Sequence, residues 1–128
     1  MLLVRTTLAP SAIHGIGVFA FADIGAGEPV WRFDPAFDLV IAPDQVAGAP
    51  PAFRAYLETY AYLSPDVPAG HLVLPCDHAK FLNHSEDPNT ESSGPLNRAL
   101  RHIRAGEELT CDYRACVAGW TGFGPSIG

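Results

Sequence analysis

The sequence predicts a mostly β fold with one short helical insert. Three observations carry that reading: short runs of β-branched and aromatic residues, frequent Gly and Pro between them, and one stretch with clear helical periodicity. Twelve Gly and twelve Pro among 128 residues supply many turns, which suits several small sheets.

The first strand is expected in "LLVRTT" (residues 2–7) and the second in "GVFAFADI" (17–24), each bounded by turn formers. "GAGEP" turns the chain into "VWRFD", and "FDLVI" follows Pro35 as a further strand. The helix is expected in "PPAFRAYLETYAYL" (50–63). There Phe53, Tyr56, Leu57 and Tyr60 recur at i, i+3, i+4, i+7, while Arg54, Glu58 and Thr59 face away. Pro51 suits its first turn, and "SPDVPAG" ends it. "HLVLP" reads as a strand, and "ALRHI" and "ELTCDY" as two more joined by a "RAGE" turn. In the last of these, Leu109, Cys111 and Tyr113 share one face and Thr110 and Asp112 the other, so Tyr113 ends an inward-facing row.

With 48% apolar residues the chain reads as one globular domain, 1–128, without internal repeats or linkers. Folding a chain of this size removes roughly two-thirds of its extended surface from water. No run of about 18 apolar residues exists to span a bilayer. The N-terminal stretch is apolar only over residues 2–4 before Arg5, too short for a secretory core. A cytoplasmic protein with no membrane partner is therefore expected. Cys76, Cys111 and Cys116 form neither an even set nor a C-x-x-C pair, and reduced thiols are expected. A formal net charge of −6 disfavours direct nucleic-acid binding and favours a basic partner.

Three segments concentrate chemistry. Gly15-Ile16-Gly17 lies between two strands, where backbone approaches a ligand without Cβ interference. It lacks the third glycine of a dinucleotide fold and the Gly-Lys-Ser/Thr of a P-loop. "FLNHSEDPNT" (81–90) packs two amides, an imidazole and two hydroxyls beside Phe81 and Leu82, more polar groups than a turn requires, each needing a defined bond if buried. Tyr113, at its strand end, can present a hydroxyl into a pocket.

In this order and spacing, "HGIGVFA", "FLNHSEDPN" and "GEELTCDY" resemble the SET domain family of protein lysine methyltransferases, with "DIGAGEPV" matching the family's second strand and turn. The resemblance covers a core of about 11–113. It implies a SET-domain β-fold of small sheets with a C-terminal pseudoknot, in which the chain after "FLNHS" passes under a loop formed by "LTCDY". It implies S-adenosylmethionine as cofactor, held by His14, Gly15, Ile16, Gly17, Asn83 and His84, and a substrate lysine entering from the opposite face. Tyr113 is then the catalytic residue where the two meet. His84 is read as pinning the knot with its ring while its backbone meets the adenine, and no general base is assigned. Tyr60 and Tyr62 are candidate walls of the lysine channel.

The sequence departs from the family pattern in three places. Glu86 stands where many relatives carry a zinc-binding cysteine, and no C-x-C follows Tyr113, so no metal is expected. A site from Cys76, His78 and His84 matches no zinc spacing well. Lys80 stands where many relatives carry Arg, which keeps the charge and loses bidentate bonding. The tail 114–128 is the candidate for closing the active site, with Trp120 stacking on the cofactor's adenine and Phe123 lining the channel. Small size also invites homodimerisation. The expected activity is methyl transfer to a lysine of a protein substrate within a basic segment. The alternative is a catalytically silent SET-like module that binds a basic peptide or partner protein.

Overall fold

Nine short strands, three α-helical segments and one 3-10 turn, joined by turns and irregular chain, lie within residues 1–92 and 94–116, the part described by a computed structural model of the chain. In chain order the strands are β1 (Thr6–Pro10), β2 (Ile16–Ala20), β3 (Pro29–Arg32), β4 (Leu39–Ile41), β5 (Tyr62–Leu63), β6 (Leu72–Leu74), β7 (Asn83–His84), β8 (Leu96–Arg98) and β9 (Glu108–Cys111). The helices are α1 (Pro43–Ala47), α2 (Pro51–Tyr60) and α3 (Tyr113–Cys116), and the 3-10 turn is His78–Phe81. Mostly small sheets with few helices is the expected fold class.

The strands form three sheets. The first has the pairing order β1-β2-β9-β7, antiparallel except for the parallel contact of β7 with β9. The second pairs β3 with β8, and the third has the order β4-β6-β5. Two apolar clusters hold these sheets. Val18, Ala20, Ile24, Val30, Ala99, Ile103 and Leu109 form one, with Leu2, Val4, Phe81 and Leu82 around it. Ile41, Leu57 and Leu74 form the other, where α2 lies on the third sheet with Tyr56 and Tyr60 at its margin. No helix among the described residues is long and apolar enough to cross a membrane.

Several elements differ from expectation for identifiable reasons. The first strand begins at Thr6 because the residues before it pair elsewhere. Leu3 N–H donates to the Val30 carbonyl at 2.7 Å and Arg32 N–H to the Met1 carbonyl at 3.0 Å, which swings Leu2 and Val4 onto the first cluster. "ALRHI" is not a strand. Ala99 bridges Thr90 and Ile103 bridges Ile24, and between these separate partners Leu100 bulges out, 53% exposed. Helix α2 stops at Tyr60, since Ala61 is extended (ψ 158°) and Tyr62 pairs with Val73. Leu57 is the buried residue of α2, whereas Phe53, on the expected inner face, is exposed and stacks on Tyr56 with ring centroids 5.8 Å apart. The short α1 and the 3-10 turn carried no periodicity long enough to be expected.

Candidate functional site

The site is built along β9. Residues 109–111 are all buried, so the expected in-and-out alternation is lost: chain covers both edges and both faces of this strand. Adjacent carbonyls of a strand point to opposite edges. The Cys111 carbonyl accepts from Ser85 N–H at 2.9 Å and the Thr110 carbonyl from Thr90 N–H at 3.2 Å, so the chain crosses from one edge of β9 to the other between these residues. Asn89 fastens the crossing. Its Nδ2 donates to the Glu108 carbonyl (2.7 Å) and its Oδ1 accepts from Thr110 N–H (2.9 Å), so the buried carboxamide takes the place of a peptide group on a neighbouring strand.

Tyr113 does not end the strand row. Strand β9 stops at Cys111 and Tyr113 opens the helical turn α3. Two bonds set its direction. Its N–H donates to His84 Nδ1 at 3.1 Å, and its hydroxyl donates to the Leu82 carbonyl. The first bond requires a lone pair on Nδ1, so the ring proton of a neutral His84 resides on Nε2. The buried His84 ring lies against that of Tyr113, centroids 5.6 Å apart. Beside them Arg114 donates to Asp112 from Nε (2.9 Å) and Nη2 (2.8 Å). These bonds to Arg114 hold the Asp112 carboxyl down at about 2.

Facing Tyr113 is the loop of residues 11–17. Gly15 has φ +49°, a left-handed conformation that glycine adopts without strain, and a Cβ there would meet no protein atom within 4 Å. Asn83 Nδ2 lies 3.0 Å from the His14 carbonyl, 3.2 Å from that of Ile16 and 2.9 Å from Glu108 Oε2. The Glu108 carboxylate also accepts from Ser11 Oγ at 2.8 and 2.9 Å.

Between this loop and α2 opens a cleft of about 310 Å³. It brings together six residues singled out in the sequence, His14, Gly15, Ile16, Tyr60, Asn83 and Tyr113, and adds Thr59, Lys80 and Phe81. Gly17 and His84 are buried and are not part of this lining. Tyr62 lies away from it, edge-on to Trp31 with ring centroids 6.2 Å apart. Trp120 and Phe123 lie outside the described residues. Tyr60 and Phe81 meet edge to face at 5.3 Å, and Lys80 Nζ donates to the Tyr56 hydroxyl at 3.0 Å. Among the described residues no group of three or more His, Cys, Asp or Glu is placed to hold a metal ion.

Glu108 lies within "GEELTCDY", yet the sequence assigns no role to it or to Ser11. Strand alternation puts Glu108 on the polar face with Thr110 and Asp112, and nothing local to Ser11 points at a partner 97 residues away.

Residues 15–114 match the family model described as SET domain. The chain belongs to the SET domain family. No curated protein matches this SET domain in sequence. Among solved structures, a Plasmodium falciparum protein crystallised as a candidate histone methyltransferase is 19% identical, over 88% of this chain and 95% of that one, with a TM-score of 0.62. The Neurospora SET domain protein DIM-5, a histone lysine methyltransferase, is 22% identical over 95% of this chain and 56% of its own, with a TM-score of 0.58. Chaetomium thermophilum Polycomb Repressive Complex 2 bound to GSK126 gives 22% identity and a TM-score of 0.68, over 91% of this chain and 16% of that one. The SET domain thus spans about half or less of the last two chains, and at these identities the likeness establishes the fold.

Proposed function

We propose that this SET domain transfers a methyl group from S-adenosylmethionine to a lysine side chain of a protein substrate. The observation that carries the reading is Tyr113, whose hydroxyl is tied to the Leu82 carbonyl at a cleft walled by the backbone of residues 14–16. A hydroxyl that donates its proton to a carbonyl leaves oxygen lone pairs for other contacts. Such lone pairs suit a polarised methyl or a cationic sulfur.

The lining fits such a cofactor. Gly15 leaves open space where a side chain would stand, and Asn83 ties the His14 and Ile16 carbonyls behind the loop. His14, Gly15, Ile16 and Asn83 are the residues that would hold it, with Tyr60 and Phe81 offering aromatic faces to a cationic centre. When bound, S-adenosylmethionine supplies a methyl already activated on a sulfonium. The protein's task is then to align the reactants and exclude water. The target lysine must be neutral to attack. Desolvation among Tyr60, Phe81 and Tyr113, with the Lys80 ammonium also on the lining, shifts a lysine pKa downward as the reaction requires. The net charge of −6 favours a basic substrate segment. The same reading includes a cytoplasmic location, no direct nucleic-acid or membrane partner, and homodimerisation.

The test is transfer of isotopically labelled methyl from S-adenosylmethionine to lysine-containing basic proteins and peptides, with calorimetry of cofactor binding alongside. Transfer to a lysine supports the proposal. Folded protein that binds no cofactor overturns it, and cofactor-free binding of a basic peptide then points to a silent recognition module.

A further inference from the structure

We propose that Glu108 is the positioning residue of the cofactor-binding loop, acting through Ser11 and Asn83 and occupying the space that makes position 17 a glycine. The proposal rests on the reading of residues 14–16 as a cofactor wall. Glu108 does not itself line the cleft.

The bonds form a directed chain. Ser11 has one hydroxyl proton, and it goes to the Glu108 carboxylate at 2.8 to 2.9 Å. That donation turns the lone pairs of Ser11 Oγ toward the loop, where they accept Ile13 N–H at 2.9 Å and His14 N–H at 3.3 Å. On the other side Glu108 Oε2 accepts from Asn83 Nδ2 at 2.9 Å, and the same amide reaches the His14 and Ile16 carbonyls. Both the N–H and C=O groups of the loop are therefore oriented from one carboxylate. An ionised carboxylate suits this because it only accepts, from a hydroxyl and an amide at once. A glutamine has one accepting oxygen and cannot reproduce both bonds without turning an N–H toward a donor.

Gly17 supplies independent geometry. A Cβ built there would lie 2.8 Å from Glu108 Cδ, closer still to Oε2, and 3.0 Å from Ser11 Cβ. The carboxylate thus fills the volume a side chain at 17 would need. Residues 17 and 108 are coupled by exclusion as well as through the loop.

The experiment uses the full chain. Glu108→Gln and Ser11→Ala are expected to weaken S-adenosylmethionine binding about tenfold or more, while kcat at saturating cofactor stays within about threefold. A fall in kcat as large as that in kcat/KM overturns the positioning role. Gly17→Ala alone is expected to weaken binding comparably. In a Glu108→Ala/Ser11→Gly background, which also removes the Ser11 Cβ that would lie 3.0 Å away, adding Gly17→Ala costs less than about twofold more; multiplicative losses overturn the exclusion argument. Amide hydrogen exchange tests the clamp without cofactor: Glu108→Gln should speed exchange at Ile13 and His14 about tenfold while β9 amides keep their protection. Should the wild type bind no S-adenosylmethionine, the cofactor reading fails, and unchanged exchange at Ile13 and His14 would sink the clamp separately.

Discussion

Replacing Asn89 by alanine removes the side chain that stands in for a missing strand. Asn89 is 2% exposed, and its truncation leaves the buried Thr110 N–H and the part-buried Glu108 carbonyl without these partners. Each buried orphan costs about 1–3 kcal/mol, for a sum of about 2–6 kcal/mol. A water entering the vacated space restores part of this, so the expected loss is about 3 kcal/mol. For a domain of this size that lowers Tm by about 10 °C. It removes a large share of a total near 5–15 kcal/mol. Equilibrium urea unfolding, followed by far-UV circular dichroism and tryptophan fluorescence, measures it as a lower midpoint with the slope unchanged. Asn89→Asp is the control. It keeps an acceptor for Thr110 N–H but sets a carboxylate against the Glu108 carbonyl, so it should be at least as damaging at neutral pH. A loss below about 1 kcal/mol for Asn89→Ala, or a neutral Asn89→Asp, would refute the view that this carboxamide completes the β9 ladder.

Other consequences are equally measurable. Tyr113→Phe should slow methyl transfer about 100-fold, near 2.7 kcal/mol in the barrier, while cofactor affinity changes less than about threefold; equal rates on a verified substrate would remove Tyr113 from the chemistry. The Asp112 carboxyl is held at about 2, below its ordinary 3.8, by Arg114, so the stability it contributes is complete above the ordinary value and is lost as pH falls toward 2. Urea midpoints between pH 5 and 2 should therefore fall more steeply for wild type than for Asp112→Asn, and parallel profiles would contradict the ion pair. Leu57→Ala, at a residue 1% exposed between α2 and the third sheet, should cost about 2–5 kcal/mol in the same assay.

What could be read from the sequence was what local chemistry or motif order determines. The helix around Leu57, the Gly-rich loop beside Tyr113 and the polar run at Asn83 each rest on residue types within a short window, and the cleft brings the loop, Asn83 and Tyr113 together. The remainder depends on partners far along the chain. Strand β1 starts late because Leu2 bridges Trp31 on β3, with Leu3 N–H bonded to the Val30 carbonyl and Arg32 N–H to the Met1 carbonyl. Residues 99–103 look like a strand until their amides bond to separate segments. Glu108 has the alternation of a solvent-facing residue and is recruited inward by Ser11, 97 positions away. Tyr62 shows the same limit: its type suits a channel wall, but pairing with Val73 sends its ring to Trp31.

The crossing of residues 85–90 around β9 also dictates when the protein can become whole. Strand β9 is the last strand of the described chain to leave the ribosome, yet β2, β7 and Asn89 all bond to it. A nascent chain that has not reached Glu108 has a Gly15 loop with no carboxylate behind it and a polar segment at 83–90 with nothing to wrap. Because the decisive contacts join residues 19 to 97 positions apart, their closure entropy must be overcome before any of them stabilises the others. Assembly is therefore late and concerted, and partly synthesised chains carry their buried amides and apolar strands exposed until β9 arrives.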